Sequence, residues 1–251
     1  MSYDRLAVRL ILWMALALMG LGLGCRRAVV WNAKQEVEIG KQGSAEIEKE
    51  YKLDKNPARV RLVDGIGSRL VKVAGKKEYA YTFKVLDLDD INAVSLPGGP
   101  IYVFRGLIEA ASDEDEVSGV VGHELGHINA RHINKQQTKR LAINLAVLIG
   151  TKGRPSDLTD IGSALLMLQY SRDDEYEADR LGIEYNYKAG YDPHGIVRFF
   201  ERLQKLEKGG DKGILANLRS HPLTENRIWR AQEHIAKVTG TPAPPKPGGK
   251  K

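Results

Sequence analysis

From His123 to His127 the chain reads H-E-L-G-H, and this spacing limits the possible folds more than any other feature. At about 100° per residue, four steps along an α-helix return the second imidazole to within roughly 40° of the first, so one helix face offers two nitrogen donors to a single metal ion. Glu124, about 100° from His123, reaches a water beside that ion and serves as its general base. Val120, Val121 and Leu125 surround the donors with apolar side chains, which calls for a core on the rest of the helix. An exposed or core-satisfied histidine pair is the bland account. Against it, the motif sits on a stretch with its own helix signals: Ser112 as a cap, and an acidic first turn, Asp113 to Glu116, suited to the positive end of the helix dipole. The helix is expected to run beyond Ala130.

Composition narrows the chemistry. One cysteine in 251 residues excludes an internal disulfide framework and a Cys-rich structural zinc site, so a metal must be held by carboxylates and the six histidines. With 42% hydrophobic and 28% charged residues the chain is one globular domain with a real core, neither disordered nor collagen-like. A mean hydropathy of −0.34 excludes a multi-span membrane protein. The formal charge is +6, from 38 basic and 32 acidic residues, and no dense basic patch is interleaved with aromatics. No nucleic-acid partner is expected.

The one long apolar run is N-terminal. Arg5 and Arg9 precede Leu10 to Gly24, a charged start and an apolar stretch like the core of a secretory signal, and shorter than the ~20 residues of a membrane span. The run ends at Cys25, behind Gly24, where a bacterial lipoprotein signal places its lipidated residue; the pattern is imperfect, because Gly22 stands where that signal usually has Leu. The expected organisation is a lipoprotein-type signal over residues 1–24, a catalytic domain over 25–239 and a disordered Pro/Gly/Lys tail over 240–251. An ordinary signal with an incidental buried cysteine is the alternative. Arg26 after the cysteine is similar to sequences sent to the outer membrane.

Ala33 to about Leu53 and Pro57 to Val73 carry apolar residues at helical spacing. Tyr81 to Leu88 and Ala93 to Phe104, broken by the P-G-G-P of Pro97 to Pro100, read as a small sheet with a turn. Gly150 to Pro155 reads as a loop. Asp157 to Lys188 reads as helix with breaks allowed, and Pro193 to Leu206 and Glu225 to Val238 as two more.

Catalytic zinc usually takes three protein ligands. His132, nine residues past His123, points about 180° away on a continuous helix and reads as a solvated residue. Ala130 and Ile133 occupy the Gly and His positions of a metzincin continuation. In the acidic stretch Ser171 to Asp179, Glu175 and Asp179 share a helix face while Glu177 turns away. That suits Glu175 as ligand and Asp179 as the acceptor that orients a ligand histidine, although a solvated acidic face accounts for the same spacing.

Four motifs, in order, resemble the gluzincin metallopeptidases of the HtpX, Ste24 and Oma type, peptidase family forty-eight, especially its single-domain periplasmic members. They are N-A-V-S-L-P-G-G-P-I-Y-V (Asn92 to Val103), D-E-V-S-G-V-V-G-H-E-L-G-H (Asp115 to His127), Y-S-R-D-D-E-Y-E-A-D-R-L-G (Tyr170 to Gly182) and S-H-P-L-T-E-N-R-I (Ser220 to Ile228). The resemblance spans roughly Ala33 to Val238. It implies an α+β, mostly helical zincin-like fold with a small sheet beside the histidine helix, and one Zn2+ per chain on His123, His127 and Glu175 with Glu124 as base. It also implies His221 and Arg227 approaching from the far side to steady the tetrahedral intermediate; a His-Pro turn leading a helix and a surface ion pair explain the same residues without catalysis. Membrane-embedded relatives carry several spanning helices, and nothing after Gly24 is apolar enough for one. No tetratricopeptide extension is expected after the catalytic domain.

The reading is a zinc endopeptidase, exported to the periplasm and anchored to the membrane through lipidated Cys25, acting on unfolded or misassembled envelope polypeptides. Substrate is expected to lie extended along the edge strand at Asn92, Ala93, Gly98 and Gly99, held by main-chain hydrogen bonds. The rival is a latent or non-proteolytic, chaperone-like envelope lipoprotein with a structural metal site, for which a self-blocking His221 is the sign.

Overall fold

In the computed structural model, residues 31–136, 170–209, 221–223 and 225–245 are described. The signal segment with Cys25 and the Gly150 to Pro155 loop lie outside them. Helix α1 (Ala33–Glu50) opens with a reciprocal cap between Asn32 and Gln35, and α2 (Pro57–Ala74) with Asn56 as cap and Pro57 in its first turn, where a missing N–H costs nothing.

Three short strands follow: β1 (Thr82–Leu86), β2 (Ala93–Ser95) and β3 (Pro100–Phe104). Their order is β1-β3-β2. β1 runs parallel to β3, with Thr82 opposite Pro100, and β2 antiparallel, with Ala93 opposite Val103. Alternation along the strands feeds two cores. Ile101 and Val103 pack with Val63, Ile66 and Leu70 of α2 and with Val117, Val121 and Leu125. Tyr102 and Phe104 pack with Ile47 of α1, Leu86 and Ile133. The β2–β3 turn needs its glycines: Gly98 and Gly99 have φ of +76° and +140°, and a Cβ on either would meet the backbone of Val37 or Ala80.

A one-and-a-half-turn helix that the sequence reading omits, α3 (Arg105–Ala110), leads to α4 (Glu114–Asn129), which carries the histidine motif. Two expectations for α4 are corrected. Its cap is Asp113, which accepts from the Glu116 N–H at 2.8 Å, rather than Ser112. It also stops at Asn129 instead of running beyond Ala130, because Arg131 adopts φ +59° and breaks the helix before a short helical segment, 132–136. α5 (Arg172–Ala189) is capped by Ser171 and closed by Gly190 in the left-handed conformation. α6 (Gly195–Lys208) and α7 (Glu225–Thr239) complete the described helices. Residues 240–245 of the expected tail fold back on α7, where the Trp229 indole donates to the Pro244 carbonyl. No described helix is long and apolar enough to cross a membrane.

α4 and α5 approach closely because small residues line their contact. A Cβ on Gly126 would stand 2.7 Å from the Ala178 carbonyl oxygen, and one on Gly182 would stand 2.8 Å from the His123 nitrogen. That approach lets side chains on two helices meet at one point.

Candidate metal centre

His123, His127, Glu175 and His221 each bring a ligand atom to one spot, all within 4.8 Å of one another and all buried. The Nε2 atoms of His123 and His127 lie 2.9 Å apart. Glu175 places Oε1 3.3 Å from His127 Nε2 and Oε2 3.6 Å from His123 Nε2. α4 supplies the histidines and α5 the carboxylate, one turn beyond its Ser171 cap. His221 Nδ1 stands 3.2 Å from His123 Nε2 and 3.1 Å from Glu175 Oε1, so it occupies the position that would complete a four-donor set.

Around this spot the buried charges do not balance. Glu124, Glu175 and Asp179 face one guanidinium, that of Arg227, which leaves a formal −2 when the imidazoles are neutral. Isolated buried charge is costly; a divalent cation among three nitrogens and a carboxylate removes the deficit, and the donor types suit zinc. Burial, with His123 beside it, pushes the His127 imidazole well below its usual value, which keeps it in the ligand form. Burial opposes a charged His221, yet Glu175 and Glu124 outweigh it and raise its pKa. Burial would likewise raise Glu175, but Arg227 and His221 draw it well below the ordinary carboxylate range.

Asp179 Oδ1 lies 2.8 Å from His123 Nδ1, on the side of the ring away from the donors. Glu124 accepts from the Ser95 hydroxyl at 2.6 Å and has His221 Nε2 at 3.4 Å. Arg227 lines a small cavity with His123, Glu124 and His221, and is itself buried. Its Nε and Nη2 donate to the two oxygens of Asp179 at 2.7 and 2.9 Å, its Nη1 to Glu175 at 2.6 Å, and its guanidinium sits over the Phe200 ring. The solvated, outward placement of His132 is corrected: the break at Arg131 turns it back under α4, fully buried, with Nδ1 2.8 Å from His127 Nδ1.

The sequence motif of peptidase family M48 matches residues 57–235, most of the chain. The chain belongs to this family. Its members are zinc-dependent metallopeptidases, in keeping with the donor set at His123, His127 and Glu175. The chain is 31% identical to a putative beta-barrel assembly-enhancing protease of Vibrio cholerae over 71% of its own length and 39% of that protein's. It is 40% identical to the mitochondrial metalloendopeptidase OMA1 of Arabidopsis thaliana over 55% and 28%, and 29% identical to the metalloprotease YcaL of Escherichia coli over 86% and 85%. It therefore spans well under half of the first two relatives.

Within this family site, β2 is the edge strand beside α4. The Leu96 N–H donates to the Pro100 carbonyl and the Phe104 N–H to the Asn92 carbonyl, so the alternation leaves the main-chain groups of Ala93 and Ser95 facing away from β3. The Asn92 side chain already accepts from the Ala93 N–H at 3.0 Å, and all of β2 is buried. Gly98 and Gly99 serve the turn packed on α1 and stand outside the donor cluster. Three contributors escaped the sequence reading. Gly126 could have been found as a glycine inside an otherwise strong helix. Ser95 and Tyr170, whose ring stacks 3.8 Å from that of His127, carry no signal beyond lying in motifs chosen for other residues.

Proposed function

We propose that the chain is a zinc endopeptidase acting on exported polypeptides, and the observation that carries this is the buried set of His123, His127 and Glu175 with Glu124 alongside. When bound there, zinc supplies the positive charge that polarises a scissile carbonyl and acidifies the attacking water. Glu124 takes the proton of that water and passes it to the leaving amine. Ser95 holds one oxygen of Glu124, leaving the other, beside His221, to carry the proton. Asp179 accepts from His123 Nδ1 and so keeps the Nε2 lone pair turned toward the donor cluster. Arg227 compensates both carboxylates of α5. Substrate main chain pairs with the outward groups of Ser95 and with the Ala93 carbonyl, the Ala93 N–H being held by the Asn92 side chain, which demands little of side-chain sequence.

A closed, latent form is favoured by two observations: His221 fills the fourth donor position, and β2 is buried. In this reading substrate or a partner displaces His221 before turnover. Export rests on Arg5, Arg9 and the apolar run to Gly24, and a lipid anchor at the outer membrane on Cys25. Relatives named for beta-barrel assembly support unfolded or misassembled envelope polypeptides as substrates.

Digestion of unfolded casein by the purified chain tests the activity. Glu124→Gln should keep its zinc and lose about 10²–10⁴-fold in turnover, and a chelator should stop the wild type. Full activity in either case removes the reading. A faster His221→Ala variant assigns His221 to latency, and a slower one assigns it to catalysis.

A further inference from the structure

His127 presents Nε2 to the donor cluster, so its other nitrogen, Nδ1, bears the ring proton whenever Nε2 acts as a ligand. The atom facing that proton belongs to His132: its Nδ1 lies 2.8 Å away. Only one proton fits between two such nitrogens, and if His127 supplies it, His132 must accept. His132 then carries its own proton on Nε2, which lies 3.1 Å from Glu177 Oε2 and 3.7 Å from Asp174 Oδ1. Both are acceptors. Lys135 holds the same Glu177 oxygen at 3.0 Å, and Ser171 holds the other Asp174 oxygen at 2.6 Å. Every hydrogen along the line has a donor and an acceptor, and His132 itself has no exposed surface.

We infer that His132 is a positioning residue for the metal, a second imidazole that receives the His127 Nδ1 proton and passes its own to Glu177, fixing the tautomer and ring angle of His127. The two ligand histidines are thus backed differently, His123 directly by Asp179 and His127 through an imidazole by Glu177. A neutral acceptor draws less charge onto its ligand than a carboxylate does, so the arrangement orients His127 without adding another buried anion to a cluster that already holds three. The device depends on Arg131, whose left-handed backbone is what brings His132 back under the motif. That conformation is held by the bonds of the Arg131 guanidinium to Glu36 and to the Trp31 carbonyl.

This inference rests on the zinc site proposed above, and zinc affinity, measured by competition with a chromophoric chelator, separates the two. A wild type that fails to bind zinc overturns the site itself. If the wild type binds, His132→Ala should weaken binding about 10–100-fold, read under conditions where the metal-free variant is shown to be folded. His132→Asn, whose amide oxygen replaces Nδ1 as acceptor, should recover most of the loss. Glu177→Ala should shift affinity the same way by less, and serves if His132→Ala does not fold. Equal zinc affinity in the wild type and in the folded variants overturns the role of His132.

Discussion

Single side chains at this site differ in worth according to what they would leave behind. Arg227 is fully enclosed between Asp179 and Glu175, so Arg227→Ala strands two buried carboxylates. A loss of about 3–5 kcal/mol in unfolding free energy is expected, read by chemical denaturation. Arg180→Ala, which removes an exposed pair with Glu184, should cost no more than about 1 kcal/mol. Away from the site, Asp54 accepts from Arg59 and from the Asn56 N–H at the start of α2, and its pKa is lowered chiefly by the Arg59 bond. A depressed carboxylate stabilises the fold above its unfolded pKa, and that contribution disappears as pH falls through the folded value. Asp54→Asn should therefore destabilise the chain at pH 7, by an amount that shrinks progressively as pH falls below about 4, as a series of urea titrations across that range can show. The sequence could nominate Arg227 by resemblance but not its partners, because its bonds to Asp179 and Glu175 join residues about fifty positions apart and leave no local signal.

Among elements, the pairing of α4 with α5 decides whether the donors meet. Gly126→Ala places a methyl 2.7 Å from a backbone oxygen of α5, which only a shift of one helix can relieve. It should cost about 1–3 kcal/mol and weaken zinc binding as the histidines move off Glu175. Gly65→Ala on α2, where nothing lies within 4 Å of the added atom, should be neutral or stabilise by up to about 1 kcal/mol. Calorimetry of the two variants with and without metal distinguishes packing from propensity. The helices themselves were legible: α1, α2 and α7 lie within a residue or three of their expected bounds, since caps and apolar spacing are local signals. The strands were legible for the same reason. The break after Asn129 was not. Nothing in the run A-R-H asks for a left-handed arginine, and it persists because Glu36 and Trp31, about a hundred residues earlier, hold the guanidinium. Extending α4 in a straight line sent His132 outward, and the error at one φ angle became an error about a site residue.

For the whole molecule, the metal and the fold are coupled. The uncompensated charge at the centre means that the metal-free chain carries a penalty its zinc form lacks. Excess zinc at about 1,000 times its dissociation constant should add ~4 kcal/mol, and a chelator should lower the melting temperature accordingly. An unchanged melting temperature would place the ion elsewhere. Lastly, the contact between Arg227 and His123 joins residues 104 positions apart, and His221 meets them from the same late segment. In terms of synthesis, a ribosome that has made the first two hundred residues has made both histidines of the motif and Glu175, but neither His221 nor the guanidinium that compensates the α5 carboxylates. Closing so distant a contact is slow relative to local helix formation, so the centre matures last, and a truncated or stalled chain holds the motif without the finished site.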